Sequence, residues 1–288
     1  MPRDLPPRED TYFIDPESGT ELARLMHQDR LISQNMGNLL PEGTDLSKVH
    51  DILDLACGPG GWVLDVAFEH PEMQVMGVDI SRSMVEYARA QAWAQGLDNA
   101  GFQAMNILNP LEFPQNSFDL INGRLLISFM LNTAWSGLLH ECMRVVRPGG
   151  IIRLTEADNF GITSSPAYEK LNSMAIHAMQ RAGQTFSPDG STMGLMPRLG
   201  VFLRQVGCVH IQHKAHVVDF SVETQAHGGW YQNFMVSFQL LQPFLVKMGV
   251  TTQEEVSQLY QQALSEMLSD DFCAVWLYLS VWGEKPQE

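Results

Sequence analysis

The sequence has few basic residues and no long apolar run, and each shortage excludes a class of function. Its 288 residues hold 18 Lys and Arg against 33 Asp and Glu, a formal net charge of -15. An acidic surface of this kind repels phosphate backbones and anionic lipids, so we expect neither a nucleic acid nor a membrane surface as a partner. No window of about 18 consecutive apolar residues occurs, so no membrane-spanning helix is expected.

Cysteines are also scarce, and their positions exclude a disulfide framework or a zinc site. The four cysteines form no C-x-x-C pair, and the nine histidines form no H-x-x-x-H pair. Such cysteines indicate small buried side chains in a reducing compartment. The first ten residues lack the apolar core of a signal peptide. We therefore expect a cytoplasmic protein that binds no metal.

What the sequence does contain is an alternation of short apolar strands with helical segments. This alternation is typical of βαβ units in a parallel sheet with helices on both faces, an α/β fold. The predicted strands are 51–55, 75–79, 101–105, 118–122 and 150–156, followed by strand-like segments at 209–220 and 272–282.

The first two predicted strands end on carboxylates, and a glycine-rich turn follows the first. Asp54 precedes the turn Ala56-Cys57-Gly58-Pro59-Gly60-Gly61, and Asp79 ends the second strand. Glycines let a backbone lie close to a ligand and adopt positive φ. Ligands of open α/β sheets bind at the carboxyl ends of the strands, where Asp79 could accept hydrogen bonds from both hydroxyls of a ribose.

A nicotinamide dehydrogenase would use the same geometry, so the two cofactors must be compared. Its fingerprint is G-x-G-x-x-G, which packs a pyrophosphate onto a helix N-terminus. The third glycine of that fingerprint is absent here. Asp54 would repel a pyrophosphate but attract the cationic amino group of a methionine tail. The residues therefore favour a zwitterionic cofactor over a dinucleotide.

With this turn, the spacing to Asp79 and the later turn Arg147-Pro148-Gly149-Gly150, the chain resembles the class I S-adenosylmethionine-dependent methyltransferases. It is similar to their small-molecule branches, such as the ubiquinone and menaquinone biosynthesis group, over about residues 48–160. The resemblance implies a Rossmann-like sheet of seven mostly parallel strands, closed by antiparallel strands at 209–220 and 272–282. It also implies S-adenosylmethionine as the cofactor. The cofactor residues that it implies are Asp54, Ala56, Gly58, Gly60, Asp79, Ile80, Met84, Asn106, Ile107, Asn122 and Arg124.

Outside the resembling core, the chain is predicted to carry two additions. The N-terminal extension, 1–40, begins with a Pro-rich lead over 1–11 that we expect to be disordered, and continues as a helix over 18–37. This helix either packs on the core, covers the cofactor as a lid, or forms a subunit contact in a homo-oligomer. The methyltransferase domain spans 41–288, with acceptor-side helical segments at 160–206 and 221–270, the second an insertion before the last strand.

The acceptor side shows no sharp catalytic signature, and methyl transfer needs mainly alignment of the nucleophile. A base is required only where the acceptor holds a proton of high pKa. Glu156 at the end of the fifth strand either faces the acceptor or caps a loop, and His227 is the better candidate base, although a lone histidine is more often structural. Arg124 either orients an acidic acceptor or pairs with Asp119 or Glu156, and pairing is favoured.

Methionine and aromatic side chains are frequent in 160–200 and 225–250, as in adaptable apolar pockets. We therefore expect methyl transfer to an oxygen, nitrogen or carbon of a small hydrophobic or aromatic molecule. Two alternatives stay open. One is an S-adenosylmethionine-binding protein that catalyses a non-methylating reaction, and the other is a non-catalytic scaffold on the same fold.

Overall fold

The computed structural model describes residues 12, 14–15 and 17–287, so the predicted lead at 1–11 lies outside the described residues. One sheet forms the centre of the molecule. Its strands are β1 (Asp51–Leu55), β2 (Gln74–Asp79), β3 (Ala100–Ala104), β4 (Phe118–Arg124), β5 (Val146–Glu156), β6 (Ile162–Thr163), β7 (Val209–Asp219) and β8 (Ala274–Glu284).

Helices connect these strands and cover both faces of the sheet. They are α1 (Gly19–Met36), α2 (Gly61–Glu69), α3 (Arg82–Gln95), α4 (Trp135–Val145), α5 (Pro166–Arg181), α6 (Leu199–Gln205), α7 (His227–Lys247) and α8 (Gln253–Glu266). In the described ranges, no helix has both the length and the apolar character needed to cross a bilayer.

The strand order is β3-β2-β1-β4-β5-β8-β6, with β7 also paired to β8. Strands β1 to β5 pair in parallel, and β8 runs antiparallel to β5, β6 and β7. This order confirms the predicted Rossmann-like α/β fold and its antiparallel closing strands. The two-residue β6 was not predicted, because two residues are too few to show a period-2 pattern.

Two predicted elements differ from the structure by more than two residues at an end. Strand β5 begins at Val146 rather than at 150, and the pairing with β4 shifts register between Phe118 and Leu120. The predicted turn at Gly149 and Gly150 therefore lies inside an irregular strand. The predicted helical segment at 160–206 is interrupted after α5, and α6 begins only at Leu199, because Gly194 adopts φ +69° and a short 3-10 turn precedes the helix.

Alternation along the strands divides the core into two layers. Leu53, Ile121 and Ile152 pack in the cluster that contains α4 and α6. Their neighbours Ile52 and Ile151 pack on the opposite face, in the cluster that contains α2 and α3. Residues two positions along a strand share a face, so the polar side chains further along these strands also meet on this second face. Helices α1, α5, α7 and α8 pack together beside Trp276 and Tyr278 of β8.

The glycines of the turn before α2 differ in how closely other atoms pack against them, so their substitution should cost different amounts of stability. Gly60 has φ +82°, and a Cβ at this position would lie 2.5 Å from the ring of Phe102 and 2.8 Å from Ala88. Gly58 also has positive φ, +54°, but a Cβ there would meet nothing within 4 Å. We expect Gly60→Ala to lower the free energy of unfolding by about 1–3 kcal/mol more than Gly58→Ala, because only the first adds overpacking to backbone strain. Urea denaturation without cofactor measures the difference, and equal losses would contradict it.

Candidate active site

A cavity of about 240 Å³ opens at the carboxyl ends of the parallel strands. Its floor is formed by the turn after β1, by Asp79 at the end of β2, and by the segment after β3. Helices α1 and α7 form the opposite wall. Most of the predicted cofactor residues line this cavity, namely Asp54, Ala56, Gly58, Asp79, Ile80, Met84, Asn106, Ile107 and Arg124.

Two predicted cofactor residues, Gly60 and Asn122, are not among the residues that line the cavity. Gly60 is the N-cap of α2, and its role in the structure is the close approach to Phe102. Asn122 is fully buried in β4 and contacts the side chain of Asp54. Both therefore support the site from behind rather than lining it.

The Asp79 carboxylate is held between β2 and the glycine turn by backbone amides. Its Oδ2 accepts a hydrogen bond from the N–H of Gly58 at 2.8 Å, and its Oδ1 accepts one from the N–H of Ser81 at 2.9 Å. Burial raises the pKa of Asp79, and these amide bonds oppose the rise. A carboxylate has about four acceptor positions, so these amide bonds leave capacity for a further donor such as a hydroxyl.

Asp54 belongs to a buried polar row that crosses three strands. Its Oδ1 accepts a hydrogen bond from Asn122 Nδ2 at 2.7 Å, and Asn122 Oδ1 accepts one from Arg153 Nε at 2.7 Å. Burial raises the pKa of Asp54 to about 7, against the opposing effects of Arg124, Asn122 and Arg153. Burial lowers the pKa of Arg153 to about 9, with a further contribution from Arg124.

Arg124 forms its ion pair with α1, and the predicted pairing with Asp119 or Glu156 is wrong. Its Nη2 donates to the carboxylate of Asp29. Asp119 instead forms an ion pair of 2.8 Å with Arg147. Asp119 lies near the beginning of β4 and Arg124 is the last residue of that strand, so their side chains do not meet. The Nε and Nη1 of Arg124 are buried and have no hydrogen-bond partner among the described residues.

Asp29 is a site residue that the sequence analysis missed, although a signal for it exists. It lines the cavity and pairs with Arg124. On α1, Asp29 stands four residues after Leu25 and three before Ile32, on the same helical face as these apolar residues. An acid on the apolar stripe of a helix has to find a partner in the core, and this argument would have identified it.

Glu156 faces the other side of the sheet from Asp54 and Arg153. It is fully buried, and its carboxylate accepts hydrogen bonds from the backbone N–H groups of Leu126 at 2.7 Å and Ile127 at 3.3 Å. Burial raises its pKa to about 8, although these amide bonds oppose the rise. It does not line the cavity. The structure therefore gives Glu156 the contacts of a buried cap on the turn after β4.

His227 is the first residue of α7 rather than part of a turn. Its Nδ1 lies 3.0 Å from the carbonyl oxygen of Phe220, and its ring packs near Phe272 and Tyr231. No histidine is among the described residues that line the cavity. Catalytic roles for His227 and Glu156 stay predictions that no contact in the structure supports.

The half of the cavity away from Asp79 is largely apolar and aromatic. Part of its wall comes from the methionine- and aromatic-rich segments singled out in the sequence, and part from β8. The apolar wall residues include Phe160, Met179, Met193, Phe234, Phe238, Leu241 and Trp276. Polar side chains interrupt this surface, among them Asn159, Asn233 and Ser237. Arg24 also reaches it, but Glu21 holds its guanidinium with two hydrogen bonds of 2.7 and 2.6 Å.

The sheet order, the glycine turn after β1 and the carboxylate at the end of β2 together define a class I methyltransferase fold. Residues 52–150 match the family described as the methyltransferase domain. Residues 52–150 therefore form a methyltransferase domain on the class I S-adenosylmethionine-dependent fold.

Curated relatives agree with this assignment over part of their length. A demethylmenaquinone methyltransferase of Lactococcus lactis is 32% identical over 111 residues, which cover 38% of this chain and 42% of the relative. Phosphoethanolamine N-methyltransferase 3 of Arabidopsis thaliana is 26% identical over 204 residues, covering 67% of this chain and 40% of the relative. The chain thus spans less than half the length of either relative.

A solved structure agrees with the fold. Phosphoethanolamine N-methyltransferase 2 of Haemonchus contortus, in complex with S-adenosylmethionine, superposes with a TM-score of 0.54 at 18% identity. The match covers 94% of this chain and 57% of that protein. At this level of identity the likeness establishes the fold.

The buried environment of Glu156 predicts a pH-dependent stability. The folded state favours the protonated carboxyl, so its stabilising effect is complete below the ordinary pKa of 4.5 and is lost as the pH rises through about 8. We expect Glu156→Gln, which keeps an acceptor for the N–H of Leu126, to lose less stability than the wild type between about pH 5 and pH 9. Urea denaturation at both pH values measures this.

Glu266→Gln is the matched control. The Glu266 carboxylate also accepts a backbone N–H, from Ala167 at 3.0 Å. Burial raises the pKa of Glu266, but hydrogen bonds from Ser165 and Ala167 outweigh this effect, so the pKa lies below its ordinary value. This variant should therefore show no gain over the wild type at high pH. A parallel pH response of wild type and Glu156→Gln would contradict the assigned environment.

Proposed function

We propose that the protein transfers the methyl group of S-adenosylmethionine to an oxygen, nitrogen or carbon of an uncharged apolar or aromatic small molecule. The observation that carries the proposal is that one cavity joins the glycine turn, Asp54 and Asp79 to a wall of aromatic and methionine side chains. A cofactor and an apolar acceptor could therefore meet inside one enclosed space.

The nucleoside end of the cofactor fits the floor of this cavity. Asp79 would accept hydrogen bonds from the ribose hydroxyls, while Ile80 and Met84 would lie beside the adenine. Asn106 would offer its amide to the adenine amino group, although its Oδ1 already accepts the N–H of Leu108 at 3.0 Å. The turn is open toward a ligand at Gly58, where even a Cβ would meet no atom within 4 Å.

The methionine end of the cofactor fits the charges beside α1. Arg124 has buried N–H groups at Nε and Nη1 without a partner among the described residues. Because these two nitrogens lie on different edges of the guanidinium, the cofactor carboxylate would accept a hydrogen bond from one of them. Asp54 would bind the ammonium group. The same charges argue against a dinucleotide, because Asp29 contacts Gly61 at the start of α2, where a pyrophosphate would bind.

The bound cofactor would supply a sulfonium-activated methyl group, and the chain would supply alignment and a dry environment. The described side chains that line the cavity include no histidine and no lysine, and their carboxylates are all aspartates. Burial raises the pKa of Tyr12 and Cys57, which also line the cavity, so neither is a ready base. Asp54 and Asp79 would bind the cofactor, and Asp29 is paired with Arg124. This arrangement favours an acceptor that reaches the methyl group as a competent nucleophile without a strong side-chain base.

The charges of the acceptor side favour an uncharged acceptor. Arg24 is neutralised by Glu21, and Arg124 is paired with Asp29 and would also hold the cofactor carboxylate. Among the described residues that line the cavity, no further cation is then left to bind the phosphate of an acceptor such as phosphoethanolamine. Asn159, Asn233 and Ser237 could instead orient one neutral polar group of a mostly apolar molecule.

Two alternatives remain, a non-methylating reaction on the same cofactor and a non-catalytic scaffold. Burial of the Asp54 charge costs stability, which a scaffold has no reason to bear. Calorimetric titration with S-adenosylmethionine, S-adenosylhomocysteine and NAD, followed by an acceptor screen read by S-adenosylhomocysteine release, separates the three. If the protein binds the cofactor and converts a substrate but releases no S-adenosylhomocysteine, the non-methylating reaction is favoured. If it does not bind the cofactor, the scaffold is favoured.

The proposed ribose contact predicts the effect of Asp79→Ala. We expect this variant to bind S-adenosylmethionine about 2–3 kcal/mol more weakly while remaining folded, because charge-assisted hydrogen bonds to both hydroxyls are lost. Asp219→Ala is a matched control, since Asp219 Oδ1 accepts the N–H of Ser221 in the same i,i+2 turn, away from the cavity. Equal affinity of both variants for the cofactor would place the ribose elsewhere.

The proposed acceptor wall predicts a separation of binding from turnover. Ser237 is a small, half-buried residue of α7 that lines the cavity beside Phe234 and Phe238. We expect Ser237→Phe to reduce turnover of an apolar acceptor at least about tenfold by filling its space, with the cofactor affinity unchanged within about twofold. A loss of cofactor affinity as large as the loss of turnover would mean that this wall belongs to the cofactor site.

A further inference from the structure

Arg153 is an arginine buried within the central sheet, and its environment calls for a functional explanation. Its exposed fraction is 2%, and β5 lies between β4 and β8. A buried charge is costly unless it is paired and hydrogen-bonded. Here Nε donates to Asn122, Nη2 has no hydrogen-bond partner among the described residues, and the guanidinium lies 5.4 Å from the ring centre of Trp62.

The strand register explains how Arg153 reaches the cofactor cavity without lining it. Asp54 of β1 pairs with Asn122 of β4, and Asn122 pairs with Arg153 of β5. The three side chains therefore stand in one row on one face of the sheet. They are joined by two hydrogen bonds of 2.7 Å each, and only Asp54 lines the cavity.

We propose that Arg153 is a positioning residue that acts through the Asn122 amide to hold the Asp54 carboxylate oriented and ionised for the ammonium group of S-adenosylmethionine. The inference rests on the proposed cofactor site. It concerns a residue that touches neither the cofactor nor the acceptor, so its effect must appear as a change in the behaviour of Asp54.

The chemistry of the amide makes this control effective. An asparagine side chain can present either its oxygen or its NH₂ group to a neighbour, but an arginine can only donate. Arg153 therefore keeps Asn122 Oδ1 turned toward β5, which leaves the NH₂ group to donate to Asp54. Without Arg153 the amide is free to turn its oxygen toward Asp54, and an oxygen there stabilises the protonated acid, which cannot bind an ammonium ion.

Other charged groups near Asp54 set how large the effect can be. Arg124 of β4 favours the ionised form, while Asp29 of α1 opposes it. The charges of Asp29 and Arg124 also act on the pKa of Asp65 in α2. The charge of Arg153 contributes to the lowered pKa of His216 in β7. Since Arg124 remains when Arg153 is replaced, we expect a partial shift rather than complete loss of the ionised carboxylate.

The sign of the pH dependence follows from Asp54. Burial raises its pKa to about 7, so ionisation changes in the neutral range. Because only the carboxylate binds an ammonium ion, affinity for S-adenosylmethionine falls as the pH drops below this value. Loss of Arg153 raises the pKa of Asp54 further, so the same fall should occur at higher pH, by up to about tenfold in affinity for each unit.

The experiment is calorimetric titration of the folded full chain with S-adenosylmethionine from about pH 6 to pH 9, in buffers of differing ionisation enthalpy. We expect Arg153→Met to bind about tenfold more weakly at pH 7 and to approach the wild type at pH 9. At pH 7 its apparent binding enthalpy should depend more steeply on the ionisation enthalpy of the buffer, because more protons are released on binding. Asn122→Leu should behave alike, and Arg153→Lys should stay close to the wild type. Arg198→Met removes an exposed arginine outside the cavity and should change nothing.

Three results would overturn the proposal. They are a loss in Arg153→Met that is equal at every pH, an affinity in that variant equal to the wild type at pH 7, and retention of the wild-type profile by Asn122→Leu. If the Arg153 variants do not fold, Asn122→Leu still decides, because it removes the amide that joins Arg153 to Asp54 and its pH profile must then shift in the same direction. Absence of binding by the wild type would instead contradict the proposed function.

Discussion

Parallel pairing of β1 with β2 and β4 is the constraint on which the site depends. It brings the carboxyl ends of three strands to one edge, so that Asp79 can accept the N–H of Gly58 and Asp54 can accept the amide of Asn122. Neither acid could be held in this way by its own strand. The sheet therefore positions both carboxylates before any ligand is present, which reduces the ordering cost of binding.

The same pairing places charge inside an apolar sheet, and α1 compensates part of that charge. Arg124 and Arg153 both lie beside the ring of Trp62, and Asp29 of α1 supplies an acid to Arg124. The position of the N-terminal helix is thereby linked to the charge state of the cavity. A cofactor carboxylate that accepts from one free N–H group of Arg124 would join this ion pair, so cofactor binding and the packing of α1 should influence each other.

The local half of the site could be predicted from the sequence, and the long-range half could not. Asp54, Gly58 and Asp79 follow from strand ends and glycine spacing, which are short-range patterns. Burial of Glu156 on the opposite face follows from alternation along β5, but only once the strand phase is known. The Arg124–Asp29 pair joins residues 95 positions apart, and no local pattern specifies such a contact. His227 is predicted from its residue type and its place at the opening of the 221–270 insertion, and neither determines which way a helix presents its first residue.

The packing of α1 against α7 shapes the apolar part of the cavity. Arg24 of α1 donates to Asn233 of α7 at 3.2 Å across a separation of 209 residues, and both line the cavity. Part of the apolar wall belongs to α7 and so depends on this packing, whereas Asp54 and Asp79 sit on the sheet. Under the proposed function, substitutions in α7 would therefore reshape the acceptor space while Asp79 keeps its contacts with the glycine turn. Acceptor choice would then depend mainly on helix packing, and the ribose contact on strand register.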